Sequence, residues 1–357
     1  FGGPPRTPET PLTQREMDLA ASIQKVTEEI VLRTVRHLHA TTGMKNLCLA
    51  GGVALNCVGN GRILREGPFE KIWIQPAAGD AGGALGTALF IWYQLLGNER
   101  HCETPDAQRG SLLGPRYPLN EIRAFLDSTG SVYRFIDDEA ELDREIVDLI
   151  EDEKVVGLFQ GRMEFGPRAL GCRSIIGDAR SRSMQSVMNL KIKFRESFRP
   201  FAPIVLRERT SEFFDIDEEV DSPYMLLVAS VAESKRTPVD GDGVQGLDKL
   251  RLVRSEVPAI THVDSSARVQ TVDSVRHVRL HRLMSCFAER TGCPVMINTS
   301  FNVRGEPIVC TPEHAYHCFM GTDMDVLVLE NFILLKHEQP QTAVPDRDQY
   351  LAQFELD

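Results

Sequence analysis

The sequence predicts a mixed α/β protein built from two units. Short apolar runs of strand length alternate with stretches of helical periodicity, and glycine-rich turns follow the first two of those runs. A polar stretch punctuated by Pro and Gly, from about Asn98 to Pro118, separates a first unit (1–108) from a second (109–357).

The elements follow in order. After a Pro- and Gly-rich lead-in, Thr13-Gln14-Arg15-Glu16 is a capping box. Behind it Leu19, Ile23, Val26, Ile30, Val35 and Leu38 recur at helical spacing, and Gly43 supplies the stop. A strand is expected at Leu47–Ala50, then a glycine turn and a helix from near Ala54. A second strand, Lys71–Gln75, leads through Gly79-Asp80-Ala81-Gly82-Gly83 into another helix. In the second unit, helices are expected at Glu121–Ser128, Asp138–Glu153, Met184–Ile192, Val278–Thr291 and Pro312–Met320. Strands are expected at Ser131–Phe135, Val155–Phe159, Met225–Val231, Ala259–Val263, Pro294–Asn298 and Asp325–Leu329. Ser234–Gly246 reads as a mobile polar loop.

Composition narrows the function. The chain has 357 residues, 42% hydrophobic and 25% charged, which suits a globular protein with a sizeable core. A formal net charge of −11 argues against a nucleic-acid partner. The longest apolar stretch, Ala84–Leu96, is too short to span a bilayer. Eight cysteines without a CxxC pair fit reduced thiols in a cytoplasmic protein.

Five segments carry chemistry. In Ala50-Gly51-Gly52-Val53-Ala54-Leu55-Asn56, glycines after a strand let backbone approach a ligand, although a plain tight turn has the same composition. Asp80, ahead of Gly82, can hold a metal ion or simply cap a helix. Gly161–Ser174 interleaves Arg162, Arg168 and Arg173 with glycines and Glu164. Planar guanidinium donors there favour an anion site over an ion-paired turn. In Asn189–Pro203, the basic residues Lys191, Lys193 and Arg195 share one face if the segment is extended, with Arg199 beyond. Asn298–Pro307 offers Ser300, Asn302 and Arg304 as phosphate or ribose donors, or forms a polar turn. His262 and Arg268 stand near a further strand end, where a lone His is more often structural.

Together the segments LCLAGGVALNCVGN, QPAAGDAGGALG, GRMEFGPRALGCRS, KIKFRESFRPFAP, THVDSSARVQTV and NTSFNVRGEP resemble the ATP-dependent O-carbamoyltransferases that act on tobramycin, cephalosporins and nodulation factors. The likeness runs from Thr13 to about Leu335. It implies part of an actin-like domain, related to threonylcarbamoyl-adenosine synthases, followed by a YrdC-like domain. Lys193 and Arg195 resemble a KxR element, and Ser300 and Asn302 an SxN element, of a nucleotide site. Lys193, Arg195 and Arg168 are the implied catalytic residues. Arg162, Arg173, Lys191, Arg199, His262, Arg268, Ser300, Asn302 and Arg304 would bind ATP with Mg and carbamoyl phosphate. Gly51, Gly52, Asn56 and Gly82 would form the first unit's nucleotide loop, and Asp80 would bind iron or a similar divalent metal.

The family's metal-binding histidines and an N-terminal phosphate loop are expected upstream of Phe1, so the chain is expected to be part of a longer protein. Cys172 and Ser265 depart from the family pattern, Ser265 standing where Gly is common. The implied function is transfer of a carbamoyl group, through carbamoyl-adenylate, to a hydroxyl of a small-molecule acceptor, in a possible homo-oligomer. A kinase-like phosphotransferase would release ADP instead, and a non-catalytic nucleotide-binding fragment would release no pyrophosphate.

Overall fold

The capping box at Thr13 opens the first helix as its residues require. The Glu16 carboxylate accepts the Thr13 backbone N–H at 2.9 Å. The structure, a computed structural model, describes residues 1–7, 10–101, 106–194, 199–238, 244, 246–340 and 350–354. Helix α1 spans Gln14–Thr42 and ends on Gly43 at φ 64. Strands β1 (Asn46–Leu49) and β2 (Lys71–Ile74) pair in parallel, with α2 (Cys57–Glu66) between them in sequence. Helix α3 (Ala81–Phe90) follows and continues into a wider-wound turn over Ile91–Leu95.

The second unit begins with α4 (Leu119–Ser128), β3 (Arg134–Phe135), α5 (Glu139–Glu151), β4 (Val156–Phe159) and β5 (Arg173–Asp178). Next come α6 (Met184–Lys191), β6 (Ala202–Leu206), the short α7 (Thr210–Phe213), β7 (Phe214–Asp215), β8 (Leu227–Val231) and β9 (Ser266–Val272). Helix α8 (Val278–Thr291), β10 (Val295–Ser300), α9 (Pro312–Met320), β11 (Val326–Leu329) and β12 (Phe332–Leu335) complete it. Among the described residues β3 to β12 form one ten-stranded sheet in the order β3-β12-β11-β4-β5-β10-β6-β9-β8-β7. Only the β4–β11 and β6–β9 pairs in it are parallel. Four consecutive buried residues in β4 and in β11 show that the sheet centre is covered on both faces. Helices α5 and α8 pack together, and Arg290 on α8 pairs with Glu151 on α5 at 2.7 Å.

Several expectations are corrected. Ala259–Val263 is not a strand. A tight turn occupies Pro258–Ile260, and the strand lies at Ser266–Val272. Lys191 and Lys193 do not alternate on a strand face. Lys191 ends α6, because Met184, Met188 and Asn189 are buried at helical spacing. Arg195 lies outside the described residues, as do 239–243 and 245 of the expected polar loop. Among the described residues no helix is long and apolar enough to cross a membrane.

The first unit rests on the second. Asn60 Nδ2, buried in α2, donates to Ala54 O at 2.8 Å and to Leu226 O at 3.0 Å. Around it Ala54, Ile74 and Ala78 share an apolar cluster with Leu170, Ala202 and Leu227. The glycine turns of the first unit therefore face the arginine-rich loop of the second.

Candidate functional site: two basic clusters joined by a strand

The loop between β4 and β5 carries the three arginines, and Glu164 shapes it. Its Oε1 accepts the backbone N–H groups of Leu170 and Cys172, each at 2.7 Å, and of Arg173 at 3.3 Å. Three amides turned onto one buried carboxylate hold the loop in a tight curl. Arg173 is fully buried, and its guanidinium donates to Gln160 O at 3.0 Å, Cys172 O at 2.9 Å and Pro115 O at 3.3 Å, over the Phe159 ring. Its Nη atoms are taken up by backbone carbonyls, while its Nε is buried without a partner. Arg162 points outward and donates to Gly114 O at 2.9 Å.

Beneath the loop, buried amides form a platform. Asn298 Nδ2 on β10 donates to Ala169 O at 3.1 Å and to Gln270 Oε1 at 2.9 Å. Gln270 Nε2 on β9 in turn donates to Leu170 O at 2.9 Å. Polar groups this deep persist in a fold because they are paired. Here the pairing fixes the stretch next to Arg168.

The first basic cluster is a cavity of about 370 Å³ lined by Lys193, Arg199, Ser300, Asn302, Arg304 and Glu306, among others. Lys193 is buried, and its Nζ donates to Asn302 Oδ1 at 2.7 Å, to Asn302 O at 2.9 Å and to the Ser300 carbonyl. The Ser300 hydroxyl donates to Asn302 Oδ1 at 2.7 Å. Phe194, directly after Lys193, has φ 46, a left-handed conformation unusual for an aromatic residue. Lys191, exposed at the end of α6, does not line the cavity.

The second cluster forms where the two units meet. Arg168 Nη2 donates to Leu55 O at 3.4 Å, and the Nε atoms of Arg168 and Arg268 are buried without a partner. Burial pulls the Arg168 pKa down to about 10, and the like charge of Arg268 adds to the effect. Burial also lowers Arg268, offset in part by the Cys57 thiol. Nearby His262 is lowered by burial first, with Asp264 opposing and Arg268 reinforcing, so it is neutral at physiological pH. Two neighbouring guanidiniums with orphaned donors are costly until an anion meets them. Ser265, beside His262, has φ 60, which explains why glycine suits that position.

The first unit's candidate residues have local roles in this structure. Gly51 has φ 96 and donates its N–H to Ala78 O at 2.8 Å, tying the two glycine turns together. Gly52 is exposed beside it. Asn56 caps α2, accepting the Gly59 N–H at 3.0 Å, and bonds Gln24. A Cβ on Gly82 would fall 2.1 Å from Ala77 O, so only glycine fits. Asp80 is exposed at the start of α3, and among the described residues no three His, Cys, Asp or Glu side chains are grouped to hold a metal. Asp80 offers a single carboxylate there.

The structure thus brings Lys193, Arg199, Ser300, Asn302 and Arg304 into one cavity, and Arg168, Arg268 and His262 into a second cluster. Sequence reasoning did not single out Glu164, Asn298 or Gln270 as positioning residues. A carboxylate among glycines and arginines was the available signal for Glu164.

Fold and site define a mixed α/β protein with one cavity lined by basic side chains and a second pair of buried arginines. Comparison with known proteins is more specific. Residues 147–336 match the family described as Carbamoyltransferase C-terminus, and residues 5–89 match Carbamoyltransferase N-terminus. The chain belongs to the carbamoyltransferase family. It is 58% identical over 362 residues to the uncharacterized protein sll1178 of Synechocystis sp., covering 100% of this chain and 58% of that protein. It is 41% identical over 331 residues to the nodulation protein NolO of Bradyrhizobium diazoefficiens, covering 91% of this chain and 56% of NolO. The chain therefore spans somewhat more than half the length of these relatives. A crystal structure of full-length HypF in its phosphate- and nucleotide-bound form aligns at TM-score 0.36 and 16% identity. It covers 56% of this chain and 22% of HypF, a likeness too slight to carry an argument.

Proposed function

We propose that this chain carries the ATP and carbamoyl phosphate sites of an O-carbamoyltransferase acting on a hydroxyl-bearing small molecule. The observation that carries this reading is the convergence of Lys193, Arg199, Ser300, Asn302 and Arg304 on one cavity. In this reading the ammonium of Lys193 and the guanidiniums of Arg199 and Arg304 neutralise the triphosphate of magnesium-bound ATP, with Arg195 assisting. Ser300 and Asn302 hold the Lys193 ammonium in place. Arg168 and Arg268 receive the phosphate of carbamoyl phosphate; water adds, the bond between the phosphate and the carbamoyl group breaks, and inorganic phosphate and carbamate result. A carbamate oxygen attacks the α-phosphorus, the bond to the β-phosphate oxygen breaks, and pyrophosphate leaves. The resulting carbamoyl-adenylate then loses AMP as the acceptor oxygen bonds the carbamoyl carbon and its proton departs.

The test is Lys193→Ala assayed for ATP-dependent pyrophosphate release with carbamoyl phosphate. Release should fall by at least about a hundredfold, the loss expected when a charge on the transition state is removed. Unchanged release would take Lys193 out of the reaction, and ADP in place of AMP would identify a phosphotransferase.

A further inference from the structure

The Lys193 cavity contains an apparent contradiction: a recess suited to an anion includes a carboxylate, Glu306, in its lining. An unrestrained negative charge there would repel the ligand the cationic residues attract. The structure shows how Glu306 is restrained. Its Oε2 accepts the Val303 N–H at 2.7 Å, and its backbone carbonyl accepts Asn302 Nδ2 at 2.7 Å. Its Oε1 accepts the hydroxyl of Tyr350 at 2.8 Å, from a residue 44 positions further along the chain.

Tyr350 is built in. It is buried, and its ring lies so close over Gly321 that a Cβ there would fall 2.5 Å from it. Burial and the nearby Glu306 carboxylate hold the phenol pKa far above its usual value, so the hydroxyl is a donor at any working pH. The buried Cys318 thiol sits beside both residues and stays protonated.

We propose that Tyr350 is a positioning residue for the Lys193 cavity: by donating to Glu306 it turns that carboxylate away from the ligand and fixes the loop that presents Asn302 to Lys193. The inference rests on the reading of this cavity as an ATP site. The chain of contacts is continuous, from Tyr350 to Glu306, from Glu306 to Val303 and Asn302, and from Asn302 to Lys193 and Ser300. Without the hydroxyl, Glu306 Oε1 loses its donor and is free to turn towards the cations of the same cavity, Lys193, Arg199 and Arg304.

The experiment measures equilibrium binding of magnesium-ATP, together with the melting temperature, for the 357-residue chain and its Tyr350→Phe, Lys193→Ala, Glu306→Gln and Tyr350→Phe/Glu306→Gln variants. Tyr350→Phe keeps the ring over Gly321, so it should weaken ATP binding about tenfold with an unchanged melting temperature. Adding Tyr350→Phe to Glu306→Gln should cost much less, because the charge being restrained is gone. If Lys193→Ala abolishes binding while Tyr350→Phe binds as tightly as the parent, the positioning role is overturned and the ATP reading stands. Binding that weakens only alongside a lowered melting temperature also overturns it. If Lys193→Ala leaves binding intact, the ATP reading fails and the inference fails with it.

Discussion

The two halves of the molecule treat apolar surface in opposite ways. In the second unit Phe159, Phe287, Phe301, Phe319 and Phe332 are fully buried within one continuous core. In the first, α3 and the turn after it have no buried residue, and Phe90, Trp92 and Leu95 are 65%, 52% and 74% exposed. Ile23, Val26 and Ile30 on α1 are exposed as well. The difference teaches that the ten-stranded unit supplies its own core, whereas the smaller unit is held mainly by α1, α2 and its contact with the sheet. Its α3 contributes little to stability in this chain.

The largest test of that contrast is a matched pair of phenylalanine substitutions. Phe332→Ala, in the sheet and against Tyr133, should cost about 3–5 kcal/mol in denaturant unfolding. Phe90→Ser should change unfolding by no more than about 0.5 kcal/mol and should raise solubility, by light scattering. A cost for Phe90→Ser approaching that of Phe332→Ala would erase the distinction.

A second effect, of intermediate size, comes from His277 at the start of α8. It is buried with both ring nitrogens unpartnered, and burial holds its pKa at about 4. Between about pH 4 and the unfolded value of about 6.5, the unfolded chain takes up a proton that the folded chain does not. Stability from this group is therefore complete above about pH 6.5 and falls by about 3 kcal/mol as pH drops towards 4. His277→Gln should flatten that slope in unfolding measured from pH 4 to 8. An unchanged slope would place the sensitivity elsewhere, for example in Asp273, whose carboxyl, against the opposing effect of burial, is lowered by the backbone N–H groups of Arg276 and Val275 and by the Arg276 guanidinium.

The smallest effect is at Ser265, left-handed at φ 60. Ser265→Gly should raise stability by up to about 1 kcal/mol, read as a shift in the unfolding midpoint. A loss would mean that the side chain, rather than the backbone, matters at that turn.

Much of the helical framework was legible in the sequence, because caps and periodicity are local. Thr13 and Gly43 bound α1, and the expected spans of α8 and α9 are those observed. Strands β5, β6, β9 and β12 were not legible. Strand β5 begins with Arg173, and β9 contains Arg268 and Gln270, polar residues whose burial is explained by partners elsewhere in the chain: Pro115 for Arg173, Cys57 for Arg268 and Leu170 for Gln270. The candidate site divided along the same line. Lys193, Ser300 and Asn302 were expected in one nucleotide site through the family resemblance, and the structure brings them into contact. Arg173 was expected to help bind ATP and carbamoyl phosphate, and the backbone carbonyls that take up its Nη donors follow from no local pattern.

Strand β10 carries Asn298, which anchors the Arg168 segment, and Ser300, which meets Lys193. These residues are two positions apart, about 6.8 Å along a strand. Both cationic recesses are thus mounted on a single rigid crossbar, hydrogen-bonded to a neighbour on each side. Exchanging side chains can alter how strongly either recess grips, but only an insertion or deletion in β10 can change their spacing, so a lineage that reshapes its chemistry must keep that gauge or rebuild the sheet.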